Sequence, residues 1–206
     1  MITQKELNDW KKLFQNWDQE PLGPREQKAA AIVKKNMYWA MGVGLVPVPL
    51  LDIAGVTLIQ LDMLKELCKC YGVPYSELKG KSILSAIGGA ALARYWASIF
   101  KAIPVFGSIL GGVSMAVTAG ATTYALGKVF VNYLRESENL EDIDVAAAKK
   151  QFEEELDEGK AMAEQLEAEQ AQDVEGQLEQ LAKLLEKGLI SEEDYKTKKQ
   201  DILDRM

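Results

Sequence analysis

From Ala102 to Gly127 the chain reads AIPVFGSILGGVSMAVTAGATTYALG, without one charged side chain, between Lys101 and Lys128. A helix needs about 20 mostly apolar residues to span the hydrocarbon of a bilayer, so this stretch is long enough to cross. Its richness in Gly, Ala, Ser and Thr means that hydrophobicity alone does not decide where it sits. The pattern is more informative. Ser108, Gly112, Ala116 and Gly120 fall four apart, with Gly107 and Gly111 alongside. On a helix they form a flat strip against which another backbone can approach closely, the small-xxx-small packing common between membrane helices.

A second strip of the same kind precedes it. Ser85, Gly89, Ala93 and Ala97 also repeat every four residues, in a helix expected from Ser82 to about Phe100. The two helices are expected to form an antiparallel hairpin about Ile103 and Pro104 with their strips in contact. Arg94 interrupts the apolar character of the first, which suits a helix covered by protein better than a free span.

Upstream, the 16 residues from Asn36 to Leu51 are uncharged but contain Pro47 and Pro49. Proline ends a helix at or before the preceding residue, so two helices are expected around this turn, each half too short to cross a membrane alone. Asp52 falls in the first turn of the second, where a carboxylate satisfies free backbone N–H groups and the helix dipole. The sharper interpretation is a buried proton or ion site. That helix is expected to end at Gly72, with Pro74 beyond.

At the N-terminus, Thr3 and Glu6 form a capping box, and Leu7, Trp10, Phe14 and Trp17 repeat at helical spacing until Pro21, Gly23 and Pro24 intervene. This aromatic face suits either an interfacial helix with tryptophans at headgroup depth or a helix docked on the protein's own core. The opening residues lack the apolar core and cleavage site of a secretory leader.

Charge divides the chain. Up to residue 135 there are 15 Lys and Arg against 9 Asp and Glu; after it, 9 against 22. A basic apolar half with an acidic tail fits attachment to an anionic cytoplasmic leaflet. Nucleic-acid binding is not expected, because no basic block interleaves with aromatics and the whole chain is acidic. Cysteines 68 and 70 point about 200° apart on a helix and are expected as buried free thiols. With no histidine, His-based triads and His-ligated zinc are absent. Gly80, Lys81 and Ser82 resemble the end of a phosphate loop, but Tyr75 stands where the first glycine must be and a helix precedes them. Gly112, Ser114 and Ala116 lack a base to activate the serine. Neither a catalytic residue nor a metal or cofactor site is expected.

Residues 140–173 are acidic and alanine-rich, and are expected as an exposed helical spacer with a break at Gly159. In the terminal segment Leu178, Leu181, Leu184 and Leu185 make one apolar face, Gly188 stops the helix, and Ser191 with Asp194 caps the next. So small a hairpin has little core of its own, which predicts self-association or docking.

Two resemblances follow. The terminal LEQLAKLLEKGLISEEDYKTKKQDILDRM resembles the short C-terminal domain called SHOCT in its leucine face, its K-G-L-I-S-E-E-D-Y turn and its closing K-K-x-x-I-L. The resemblance implies oligomerisation or partner contact through Leu178, Leu181, Leu185, Gly188 and Tyr195. Residues 29–135 resemble domain-of-unknown-function family 697, the GTPase-associated helical domain. They share A-I-V-K-K, the P-V-P-L-L-D turn, T-L-I-Q-L-D-M-L, the Y-G at Tyr71 and Gly72, and I-P-V-F-G-S-I-L-G-G onward to Y-A-L-G. This implies association with bacterial membranes and with small GTPases, although no GTPase domain is present here.

The expected protein is all-α, with an amphipathic N-terminal helix (1–24), an apolar membrane-associated domain (25–135), an acidic spacer (136–175) and a C-terminal hairpin (176–206). Its expected function is that of a non-enzymatic scaffold on the cytoplasmic side of the cytoplasmic membrane, forming a homo-oligomer and acting with a small GTPase. The alternative is a soluble helical adaptor, or a carrier of a lipid-like ligand, whose apolar helices close into a core.

Overall fold

The structure, a computed structural model, describes residues 23–44, 51–102, 115–170 and 173–204. Side chains at 51–53, 90–102, 142 and 170 lie outside the description. The fold is all-α: among the described residues there are seven α-helices and no strand. They are α1 (Pro24–Gly44), α2 (Leu51–Tyr71), α3 (Glu77–Ala102), α4 (Met115–Glu136), α5 (Val145–Gln170), α6 (Val174–Glu186) and α7 (Glu192–Leu203), with a 3-10 turn at Leu140–Asp142 before α5.

Local chemistry sets several of the helix ends. Gly72 adopts φ 78°, and the N–H of Val73 reaches back to the Cys68 carbonyl at 2.9 Å, so the last turn of α2 is closed by a left-handed residue at which any other side chain is strained. Asp144 opens α5 by accepting from the N–H groups of Ala146 and Ala147 at 2.9 and 3.1 Å. Asp173 caps α6 by accepting from Gly176 N–H at 2.8 Å.

The body is built around α4, which is buried almost continuously from Ala116 to Val131. Helices α1, α2 and α5 lie against it. A helix apolar all round has to be enclosed, and here the enclosure is protein. Its small residues are the points of closest approach. A Cβ on Gly44 of α1 would lie 2.7 Å from the Met115 carbonyl oxygen, one on Gly120 would lie 2.6 Å from Met41 Cγ and 3.1 Å from Ala163 Cβ, and one on Gly127 would lie 2.5 Å from Val33. Threonines in this core keep their hydroxyls bonded: Thr122 donates to the Thr118 carbonyl at 2.9 Å, and Thr123 accepts from Gln60 of α2 at 3.2 Å. An ion pair of Lys35 with Glu66, 2.5 Å apart, joins α1 to α2 at the surface.

Three expectations change. First, α5 is continuous through Gly159. That glycine is buried, and a Cβ on it would lie 2.7 Å from the Ala121 carbonyl oxygen; it marks a close helix crossing, not a break. Second, the acidic segment is no free spacer here, because Ala148, Phe152, Ala163 and Leu166 complete the main core. Third, Ser85 and Gly89 of α3 are exposed, with nothing within 4 Å of a Cβ at Gly89, whereas Ala116 and Gly120 pack on α1 and α5. The described parts of the two small-residue strips therefore have different surroundings and do not meet.

No helix among the described residues is long and apolar enough to cross a membrane. The amphipathic segment 3–17, the turn at Pro47 and Pro49, the strip residues Gly107, Ser108, Gly111 and Gly112, and the hairpin turn at 103–104 lie outside the described residues. Asp52 is the second residue of α2, and Ala93 and Ala97 fall within α3, their side chains outside the description.

Candidate functional site

The leucines of α6 repeat at three- and four-residue steps, so Leu178, Leu181, Leu184 and Leu185 share a face. At its end Gly188 takes φ 67°, and the N–H groups of Gly188 and Leu189 donate to the carbonyls of Leu185 and Leu184 at 2.9 and 3.0 Å. The chain thus reverses in a tight left-handed stop. Ser191 then starts α7: its backbone N–H donates to Asp194 Oδ2 at 3.1 Å, while Asp194 N–H donates to Ser191 Oγ at 3.2 Å. Both helices of the hairpin follow from local sequence.

What the hairpin covers is not local. Leu181, Leu184, Ile190 and Ile202 form one buried cluster with Ala40 and Val43 of α1, Ile59 of α2 and Ala119 of α4. Leu178, Leu185 and Tyr195 are half-buried against it. All five residues expected to bind a partner therefore belong to the hairpin seated on the body: four in this cluster and Gly188 at its turn.

The seat is notched by glycine. A Cβ on Gly42 would lie 2.5 Å from Gln180 Nε2 and 3.0 Å from Leu184 Cδ1. One turn earlier, the Tyr38 carbonyl oxygen accepts a hydrogen bond from that same Nε2 at 2.7 Å. On α2, Gly55 leaves room for Val43 and, 3.5 Å from where its Cβ would be, the Leu189 carbonyl oxygen. Gln180 Oε1 is buried and accepts no hydrogen bond from the described residues. An amide hydrogen bond contributes about 1 kcal/mol and a buried unsatisfied atom costs about 1–3 kcal/mol, so the amide fixes register, and leucine burial, about 1.5–3 kcal/mol per side chain, holds the hairpin down.

Beside the seat opens a cleft of about 270 Å³, between Lys35 and Trp39 of α1, Leu58 and Asp62 of α2, and Lys187 and Leu189 of the hairpin turn. The Lys187 ammonium stands 4.9 Å from the Trp39 ring centroid, and Leu58 is 55% exposed at the rim. Its lining combines two lysines and a carboxylate with Trp39 and aliphatic side chains. The strongest electrostatic shifts lie elsewhere. Burial in the main core pushes the Cys68 thiol up to about 11, and burial lowers Lys34 to about 8. Cys68 is a buried free thiol and Cys70 a half-buried one. Among the described residues no group of His, Cys, Asp and Glu could hold a metal ion.

Sequence reasoning found the leucine face and missed its seat, made by Gly42, Gly55, Trp39 and the Tyr38 carbonyl. The visible signal was Gly42 and Gly44 within an uncharged run, the same small-residue mark noticed farther along the chain.

Residues 9–160 match the family described as Domain of unknown function (DUF697), and residues 177–203 match the Short C-terminal domain (SHOCT). The hairpin seat is thus a contact between the two matched regions. A similar protein, Magnetosome membrane protein 22 of Magnetospirillum gryphiswaldense, is 36% identical over 150 residues, covering 70% of this chain and 76% of that protein. No solved structure matches the chain.

Proposed function

The chain belongs to the DUF697 family, and on that premise we propose that it is a non-enzymatic, membrane-associated helical scaffold whose C-terminal hairpin is its assembly element. The observation that carries the membrane part is the 36% identical relative named as a membrane protein. The uncharged stretch from Ala102 to Gly127 supports it. The assembly part is supported by the SHOCT match and by a leucine face with a shaped counterpart. A small GTPase is the partner class that the DUF697 resemblance implies, and a homo-oligomer is the assembly that the SHOCT resemblance implies. The cytoplasmic face of the cytoplasmic membrane is the proposed location.

A second reading is favoured by the enclosure of α4: a soluble helical adaptor or carrier whose apolar segments form a closed core. Fractionation of the expressed, untagged protein separates the two. The scaffold reading expects the protein in the membrane pellet, resistant to alkaline carbonate and released by mild detergent. Recovery in the soluble fraction as a defined oligomer would replace it with the adaptor.

A further inference from the structure

The cleft beside the seat carries polar groups that its own walls do not use. Lys35 is engaged, 2.5 Å from Glu66. Lys187 is exposed at the hairpin turn and stands on the Trp39 ring at 4.9 Å, and no carboxylate among the described residues pairs with it. Asp62, exposed on α2, has neither an ion pair nor a hydrogen bond among the described residues. The third group lies deeper. Asn36 lines the cleft although it is only 2% exposed. Its Nδ2 donates to the Ile32 carbonyl at 2.9 Å, and no described residue donates to its Oδ1. A buried acceptor without a donor is costly, and the cleft is the space through which a donor can reach this one.

Helices α1 and α2 run antiparallel, with Lys35 beside Glu66 and Val43 beside Gly55. That register sets Asp62 between the levels of Asn36 and Trp39, so the two acceptors lie together and the indole with its ammonium lies next to them. Leu58, 55% exposed, carries the apolar surface of Trp39 out to the rim.

One carboxylate, one ammonium and one amide oxygen, each without a protein partner, define the complementary ligand. A simple anion would be repelled by Asp62, and a simple cation would meet Lys187 on the indole face. We propose that the cleft binds a small primary-ammonium zwitterion with an apolar body. Its ammonium donates to Asp62 and to Asn36 Oδ1, its acid group pairs with Lys187, and its apolar part lies on Trp39 and Leu58. The volume of about 270 Å³ is that of about nine waters. This suits an apolar amino acid or a single ethanolamine phospholipid headgroup, two sources of the same chemistry. Because Lys187 belongs to the hairpin turn and the other polar groups to α1 and α2, the ligand also ties the hairpin to the body. The inference stands on the cleft alone and is independent of the membrane and assembly roles proposed above.

Isothermal titration of the full-length chain with L-leucine, and separately with monodisperse dihexanoyl-phosphatidylethanolamine, tests it. At least one is expected to bind, and the one that binds identifies the source. Asp62→Asn and Lys187→Met, both at exposed positions outside the core, are each expected to weaken that binding by about 10–100-fold with the helical circular dichroism unchanged. Isopentylamine and isocaproate keep leucine's apolar body and one charge each, and are expected to bind about tenfold more weakly or worse. The same loss is expected for dihexanoyl-phosphatidylcholine, whose quaternary ammonium has no N–H to donate. The proposal is overturned if neither probe binds at millimolar concentration, if either variant binds as tightly as the wild type, or if an analogue lacking one of the two features matches its parent.

Discussion

At Gly159 two residue-level effects oppose each other, and geometry decides between them. Alanine is the better helix former by about 1 kcal/mol, so propensity favours Gly159→Ala. The new Cβ, however, would lie 2.7 Å from the Ala121 carbonyl oxygen, a rigid backbone atom in the most crowded crossing of the body, and overpacking of that kind costs about 1–3 kcal/mol. Thermal melting should therefore show a lower transition for the variant; a higher one would mean that α4 and α5 are farther apart than described. Lys34 makes a different residue-level prediction. Burial lowers it to about 8 from 10.5, so between those values the folded chain has released a proton that the unfolded chain still holds, and stability rises with pH. Cys68 acts in reverse: raised to about 11 from 9.0, its thiol keeps a proton that the unfolded chain loses, and stability falls above pH 9. Lys34→Met should abolish the rise between pH 8 and 9 and keep the fall. Urea melts across that range that parallel the wild type would dispose of this account.

Elements show which information is local. The turn between α6 and α7 was legible down to its caps because Gly188, Ser191 and Asp194 act within a few residues of themselves, whereas the N-cap of α6, Asp173, was not singled out. The small-residue strips were legible as faces but not as partners: spacing puts Ser85 and Gly89, or Ala116 and Gly120, on one side of a helix, and nothing in the spacing says that solvent covers one and α1 the other. In α5 the apolar stripe of Ala148, Phe152, Leu156, Ala163 and Leu166 was present among the carboxylates, but composition outweighed period and suggested exposure. The candidate site divides the same way, its leucine half read from sequence and its seat visible only in three dimensions. Leu184, fully buried, offers a check on that seat. Leu184→Ala should cost about 2–5 kcal/mol, at the low end a roughly 30-fold larger open population. Limited proteolysis within α6 and α7 should quicken accordingly while the body's melting changes little. An unchanged cleavage rate would mean that the hairpin is held by something other than its leucines.

On the scale of the whole molecule, the all-α body encloses one apolar helix and seats the C-terminal hairpin on its surface, the arrangement on which the proposed assembly role rests. The seat has one more consequence, and it concerns time. Tyr38 and Gln180, joined across the seat, are 142 residues apart in sequence. A ribosome adding about 5–20 residues per second needs roughly 7–30 s to make the second after the first. From the moment Ile59 is made until the hairpin follows, the nascent chain carries Ala40, Val43 and Ile59 without the leucines that cover them in the finished fold.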